Sequence, residues 1–185
     1  MHLIKNRGIL HDGWLLINRD IERLLRPGED GLLPDLPDKA DMIVPTALWR
    51  LRREELLDRR GATGVWLDSH EHPEVIAADL HVLPVVAVNF AAVGDERGCV
   101  TARLLRERYG YRHELRAIGE VRPDRLHLLS RYGFDAFAMC ADQNRHEAPA
   151  GFEDYANSYA TTIMRASPAR HFGDAQAGSK EKAAA

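Results

Sequence analysis

Between Met42 and Met139 short apolar runs alternate with helix-forming segments, and this rhythm restricts the fold more than any single motif does. Met42–Val44, Val65–Leu67, Val85–Phe90, Leu115–Ile118 and Phe134–Met139 read as strands. Ala47–Arg60, Pro73–Leu83, Gly98–Tyr109 and Pro123–Tyr132 read as helices, with Gly61, Gly110 and Gly133 placed to end three of them. Strand starts near 42, 65, 85, 115 and 134 suit right-handed βα crossovers. The strands lack a clean polar face, as expected of a parallel sheet covered on both sides. Five such units are too few for a closed (β/α)8 barrel. The expected class is α/β: an open, mostly parallel sheet of about five βα-linked strands with an N-terminal β-hairpin. A partial barrel completed by that hairpin is the alternative.

The hairpin is expected over 1–18, where His2-Leu3-Ile4 and Ile9-Leu10 flank the turn-like Asn6-Arg7-Gly8, and Trp14–Ile17 offers a further strand. Residues 19–41 read as a loop, because Pro27, Gly28, Gly31, Pro34 and Pro37 punctuate it. The βα repeats occupy 42–140. A last helix is expected over 150–165, with Phe152, Tyr155 and Tyr159 at helical spacing, and a disordered tail over 166–185. A single α/β domain over 1–165 follows, since 185 residues bury one sizeable core and two would be cramped.

Charge is unevenly spread. Residues 97–131 hold nine arginines and four acidic residues, in a chain whose net charge is −3. A basic island in an acidic protein suggests an anionic ligand or partner. Nucleic acid is not expected, because the overall charge is negative and no base-reading motif is present. No apolar run approaches the roughly 20 residues of a membrane helix, so no membrane partner is expected either. Two cysteines, Cys99 and Cys140, are too few for a disulfide framework, which fits a reducing cytoplasm.

Open parallel sheets bind ligands beyond the carboxyl ends of their strands. Here those loops are Asp68-Ser69-His70-Glu71-His72, Asp95-Glu96-Arg97-Gly98, Gly119-Glu120-Val121-Arg122 and Cys140-Ala141-Asp142. The loop around Asp95, Arg97 and Gly98 combines glycine flexibility, a following helix start and a forked guanidinium suited to an oxyanion. In the plainer reading Asp95 caps the helix and Arg97 is solvated. Gly119 and Arg122 repeat the pattern, against the plainer role of Pro123 and Asp124 as a helix start. Arg103 and Arg106 project from the LLRERYG helix, as a binding face or as a solvated one. These residues form the candidate anion- or partner-binding set.

His70 and His72 with Asp68 and Glu71 invite a metal reading, but no further ligand stands at a diagnostic spacing, so no metal is expected. Cys99 at a helix start and Cys140 after a strand would make a redox pair only if they met, and no CxxC supports it. GxGxxG, the P-loop and GxSxG are absent, and two separated cysteines cannot ligate a four-cysteine cluster. No cofactor is expected.

The wording of RG-x-x-x-ARLLRERYGY from Arg97, ELRAIGEV from Glu114 and LLSRYGFDAFAM from Leu128 resembles a bacterial family, domain of unknown function 934. MHLIKNRGI at the start and MIVPTALW at 42–49 are similar to the family's opening. Its members are often labelled oxidoreductases of sulfite reduction, because their genes commonly neighbour those for assimilatory sulfite reduction. The resemblance implies a cytoplasmic accessory of sulfur assimilation and cysteine biosynthesis, with sulfite reductase or another enzyme of that route as partner. It carries over no catalytic residue. An aromatic usual after the Arg-Gly pair is Cys99 here, which argues against a family-wide thiol mechanism. A small oxyanion- or phosphate-ester-binding enzyme and a cofactor-dependent oxidoreductase are the other two readings.

Overall fold

The computed structural model describes residues 2–5 and 8–139 of the chain. Cys140, the 150–165 segment and the 166–185 tail lie outside the described residues, as do Asn6 and Arg7. The chain opens with β1 (His2–Lys5), β2 (Gly8–His11) and β3 (Leu15–Leu16), followed by one short helix, α1 (Ile21–Leu25). The alternating region holds β4 (Met42–Pro45), β5 (Thr63–Leu67), β6 (Val85–Phe90), β7 (Glu114–Gly119) and β8 (Ala136–Met139). Between them run α2 (Thr46–Leu51), α3 (Arg53–Asp58), a 3-10 segment (Pro73–Asp79), α4 (Arg97–Arg103) and α5 (Leu126–Arg131).

All of these strands share one sheet in the order β2-β1-β8-β7-β6-β5-β4-β3. Pairing is parallel from β3 through β8, and antiparallel where β1 meets β8 and β2. The hairpin therefore closes onto β8, while β3 lies at the opposite edge beside β4. Only Asp12, Gly13 and Trp14 separate the two edge strands in sequence. Four Cα steps reach at most about 15 Å, whereas eight strands laid flat would put their edges roughly 34 Å apart. The sheet must curl to let so short a link join its edges. The result is an open half-barrel, the partial-barrel form of the expected α/β class.

The pleat sorts the side chains. Outward positions such as Val44, Leu67, Val88, Leu115 and Phe137 pack with Leu48, Trp49, Ile76, Leu105 and Leu126 from the surrounding helical segments. Inward positions include Ala87, Ala136 and Ala138, which join Leu3, Ile43, Val85 and Ile118 on the concave face. Trp14, Leu16 and Trp66 cover that face, and the Trp66 indole donates to the Ile17 carbonyl at 2.9 Å. Between them an ionic chain crosses the interior. Arg116 donates to both Asp12 oxygens at 3.1 and 2.9 Å and to Glu114, which also takes Lys5 at 2.7 Å. The Asp12 and Arg116 side chains are only 3% and 2% exposed.

The segment expected as a loop over 19–41 holds α1, the helix expected over 123–132 opens as a 3-10 turn, Pro123–Arg125, before α5, and the other three expected helices differ as well. The one expected over 47–60 is interrupted at Arg52, whose φ of −123° and ψ of 30° leave the helical region. Its buried guanidinium reaches Glu55 and the Pro34 carbonyl, so the interruption ties the 19–41 segment to the domain. The 73–83 segment is 3-10 only to Asp79. After Arg103 the chain widens into a π-helical turn, Leu104–Arg108, in which the Tyr109 N–H bonds the Leu104 carbonyl at 3.1 Å. Among the described residues no helix is long and apolar enough to cross a membrane.

Candidate functional site

The carboxyl ends of β4, β5 and β6 bring several polar side chains to one rim. Thr46, the first residue of α2, donates its hydroxyl to Glu71, whose second oxygen accepts the Asp68 N–H at 2.7 Å. Asp68 takes Asn89 Nδ2 at 3.0 Å and the Ser69 N–H at 2.7 Å, and its other oxygen lies 3.4 Å from His70 Nδ1. Asn89 occupies the inward side of β6, so the concave face ends in this cluster. Among the described residues no group of three or more His, Cys, Asp or Glu is arranged to hold a metal ion.

Asp95 extends the rim. It accepts the Arg97 N–H at 3.1 Å, and its two oxygens receive the guanidinium at 2.9 and 2.8 Å. The Arg97 bond, with help from Ser69, holds the Asp95 carboxyl down to about 2 despite some desolvation. A depressed carboxyl stabilises the fold above its ordinary range, and that contribution is lost as pH falls from about 3.8 through about 2. Arg97→Ala should return the Asp95 carboxyl towards its ordinary value in an NMR pH titration. A carboxyl that stays near 2 would show that Arg97 is not the cause.

Two glycines have packing reasons. A Cβ at Gly98 would stand 2.7 Å from the Phe90 ring, so α4 sits directly on the end of β6. Gly119 has φ +85°, and a Cβ there would lie 2.4 Å from Asn89 Oδ1 and 2.5 Å from the Phe90 carbonyl. Cys99, between α4 and the core, is buried; desolvation pushes its thiol up, with Arg125 opposing only in part. A thiol in that setting is not poised as a nucleophile.

The candidate arginines take different acid partners. Arg97 pairs with Asp95, Arg103 with Glu107 at 2.9 Å and Arg122 with Asp124 at 3.0 Å, each within its own segment. Arg106 works at the other end of the sheet. It donates to the carbonyls of Gly133, Tyr111 and His113 and to Asp135, and so joins the π-helical turn to the entries of β7 and β8. Arg103 and Arg106 do share one concavity, of about 420 Å³, between α4 and α5. Arg131, Leu128 and Tyr132 complete its basic and apolar lining, with Glu107 as its acid. Arg97, Gly98, Gly119 and Arg122 are outside it.

Sequence reasoning passed over Leu128, Arg131 and Tyr132, although their spacing of three and four residues marks one helical face. It also passed over Thr46 and Asn89, which no local pattern distinguishes from structural polar residues. Arg116 carried a signal: an arginine inside the otherwise apolar ELRAIG strand must find a buried partner.

Residues 64–170, more than half of the chain, match the family described as bacterial protein of unknown function, DUF934. The chain belongs to that family. The match runs from within β5 through β8 and holds the whole basic segment, while β1 to β4 precede it. No curated protein matches the sequence.

Proposed function

We propose that the protein is a cytoplasmic accessory of assimilatory sulfite reduction, serving cysteine biosynthesis by binding a partner protein or an oxyanion and not through a redox centre of its own. The observation that carries this reading is family membership across the arginine-rich segment, since genes of the resembled family commonly neighbour those of sulfite reduction. The geometry favours binding over bond-making. Rim carboxylates are engaged with neighbouring donors, and the thiol at Cys99 is held protonated by burial. The α4–α5 concavity offers guanidinium groups beside exposed apolar surface. Sulfite reductase or a neighbouring enzyme of the route is the proposed partner.

A strain lacking the gene should grow poorly with sulfate as sole sulfur source and recover with cysteine. Equal growth on both would remove the pathway from the proposal. A second reading, an enzyme that binds an oxyanion or phosphate ester, rests on the exposed Arg97 guanidinium at the strand-end rim, where Asp95 orients it. Calorimetry with sulfite, sulfate and phosphate tests it: heats that vanish in Arg97→Ala support it, and negligible heats for both proteins dismiss it.

A further inference from the structure

We propose that the concavity at the amino ends of β6 and β7 binds a small ligand carrying a phosphate- or sulfate-type oxyanion on a planar apolar body. This gives the oxyanion of the accessory reading a site, and it rests on that reading for the ligand's use but not for the site itself.

The fold brings two chain entries together there. β6 and β7 run parallel with Val85 opposite Glu114, so the turn ahead of β6 and the link ahead of β7 lie side by side. Gly110, at φ +65°, carries the chain out of the π-helical turn and into that link. Tyr111 then fastens the two segments. Its hydroxyl donates to the Leu83 carbonyl at 3.0 Å, and its N–H donates to the Leu105 carbonyl at 2.9 Å. Arg106 in turn holds the Tyr111 and His113 carbonyls. With the link fixed in this way, a concavity of about 320 Å³ stands between it and the turn, at the lower end of small-molecule sites.

Arg112 gives that concavity a cation without a counter-ion. It is exposed, and among the described residues its guanidinium has no ion pair and no hydrogen bond. No Asp or Glu belongs to the lining. The carboxylates of the adjoining segments are already matched: Asp79 takes Arg53 at 2.7 Å, Glu114 takes Lys5 and Arg116, Asp135 takes Arg106, and Glu74 lies 3.7 Å from Arg108. The surplus therefore rests on Arg112 alone and counts no histidine.

His81 and His113 line the same space, and an imidazole offers a ring N–H in either protonation state. The His113 ring is set edge-on to Tyr111, with centroids 5.7 Å apart. A forked guanidinium with two imidazoles suits a group with several acceptor oxygens. The rest of the lining is apolar, from Ala77, the buried Leu80 and the half-buried Tyr109. A bare ion would satisfy Arg112 and leave those surfaces in water, whereas a planar body attached to the oxyanion would cover them.

Calorimetry of the full-length protein with phenyl phosphate, phenyl sulfate and inorganic phosphate, at constant ionic strength, tests this. At least one phenyl ester should bind about fivefold or more tightly than the inorganic ion, and the tighter ester identifies the oxyanion. Arg112→Ala should weaken that ester by about tenfold or more, and His81→Ala by about threefold or more. Arg50→Glu, an exposed change on α2, should leave affinity unchanged. Absence of heat with both esters at millimolar concentration would overturn the proposal, as would equal binding by wild type and an Arg112→Ala protein whose circular dichroism shows it folded. Esters no tighter than inorganic phosphate would overturn the ligand assigned and leave a plain anion site. Heats lost in Arg97→Ala but kept in Arg112→Ala would place the oxyanion at the strand-end rim instead. Ester binding at Arg112 without a sulfate-growth defect on gene deletion would sink the pathway and leave the site standing; the reverse result would do the opposite.

Discussion

Asp12→Ala is expected to lower the free energy of unfolding by about 3–5 kcal/mol, read from urea denaturation followed by tryptophan fluorescence. Asp12 is a link residue between the two edge strands, yet its side chain reaches across the concave face to the middle of β7. Without it the interior would keep the positive charges of Lys5 and Arg116 against Glu114 alone. Removing one member of a buried ionic set leaves an uncompensated charge, which costs more than the intact set contributes. The Asp12 oxygen also accepts the Trp14 N–H at 3.1 Å, so the residue that covers the inner face would lose an anchor. Replacing both Asp12 and Arg116 by apolar residues should cost less than the sum of the single changes. A loss below about 1 kcal/mol for Asp12→Ala would place it with ordinary surface ion pairs.

The same network has a pH signature. Burial works to raise the Glu114 carboxyl, but bonds from Lys5 and Arg116 outweigh it and hold the group below its ordinary value. Its stabilisation is present above the ordinary glutamate range and fades as pH falls through the lowered folded-state value.

Gly119→Ala is expected to destabilise by about 2–4 kcal/mol, measured the same way. Two effects add. A side chain at φ +85° is strained, and its Cβ would collide with the Phe90 carbonyl, part of the backbone, and with Asn89. Displacing Asn89 would also break its bond to Asp68, so the rim should loosen along with the fold. Gly94 separates the two effects, because it has φ +87° with nothing within 4 Å of an added Cβ. Gly94→Ala should therefore cost only about 1 kcal/mol. If the two alanine variants were equally stable, crowding at Gly119 would not be the reason for its glycine.

The repeat from Met42 onward was legible because each strand and helix is announced by its own few residues. The hairpin was legible for the same reason, and its register brings Leu3 opposite Leu10 and Ile4 opposite Ile9. What no local pattern announces is where those pieces dock: β1 against β8, and β3 at the far edge beside β4. That placement depends on the shortness of the Asp12–Trp14 link and on Asp12 finding Arg116, two residues more than a hundred positions apart. A break at Arg52 and a π-helical turn at Leu104–Arg108 are not legible in local helical preference, because both answer to distant partners, Pro34 and Gly133. The arginines show the same limit. Arg103 and Arg106 share a groove with residues of α5, whereas Arg97 and Arg122 each answer to an acid two residues away.

The accessory role and the α4–α5 concavity meet in one measurement: the growth rate, on sulfate alone, of a strain that lacks the gene and carries a plasmid copy. Wild type and Arg50→Glu should restore growth, and Arg103→Glu/Leu128→Ser at equal protein level should not. Full restoration by the double variant would contradict the account, because the protein would then serve the pathway without the concavity offered to its partner.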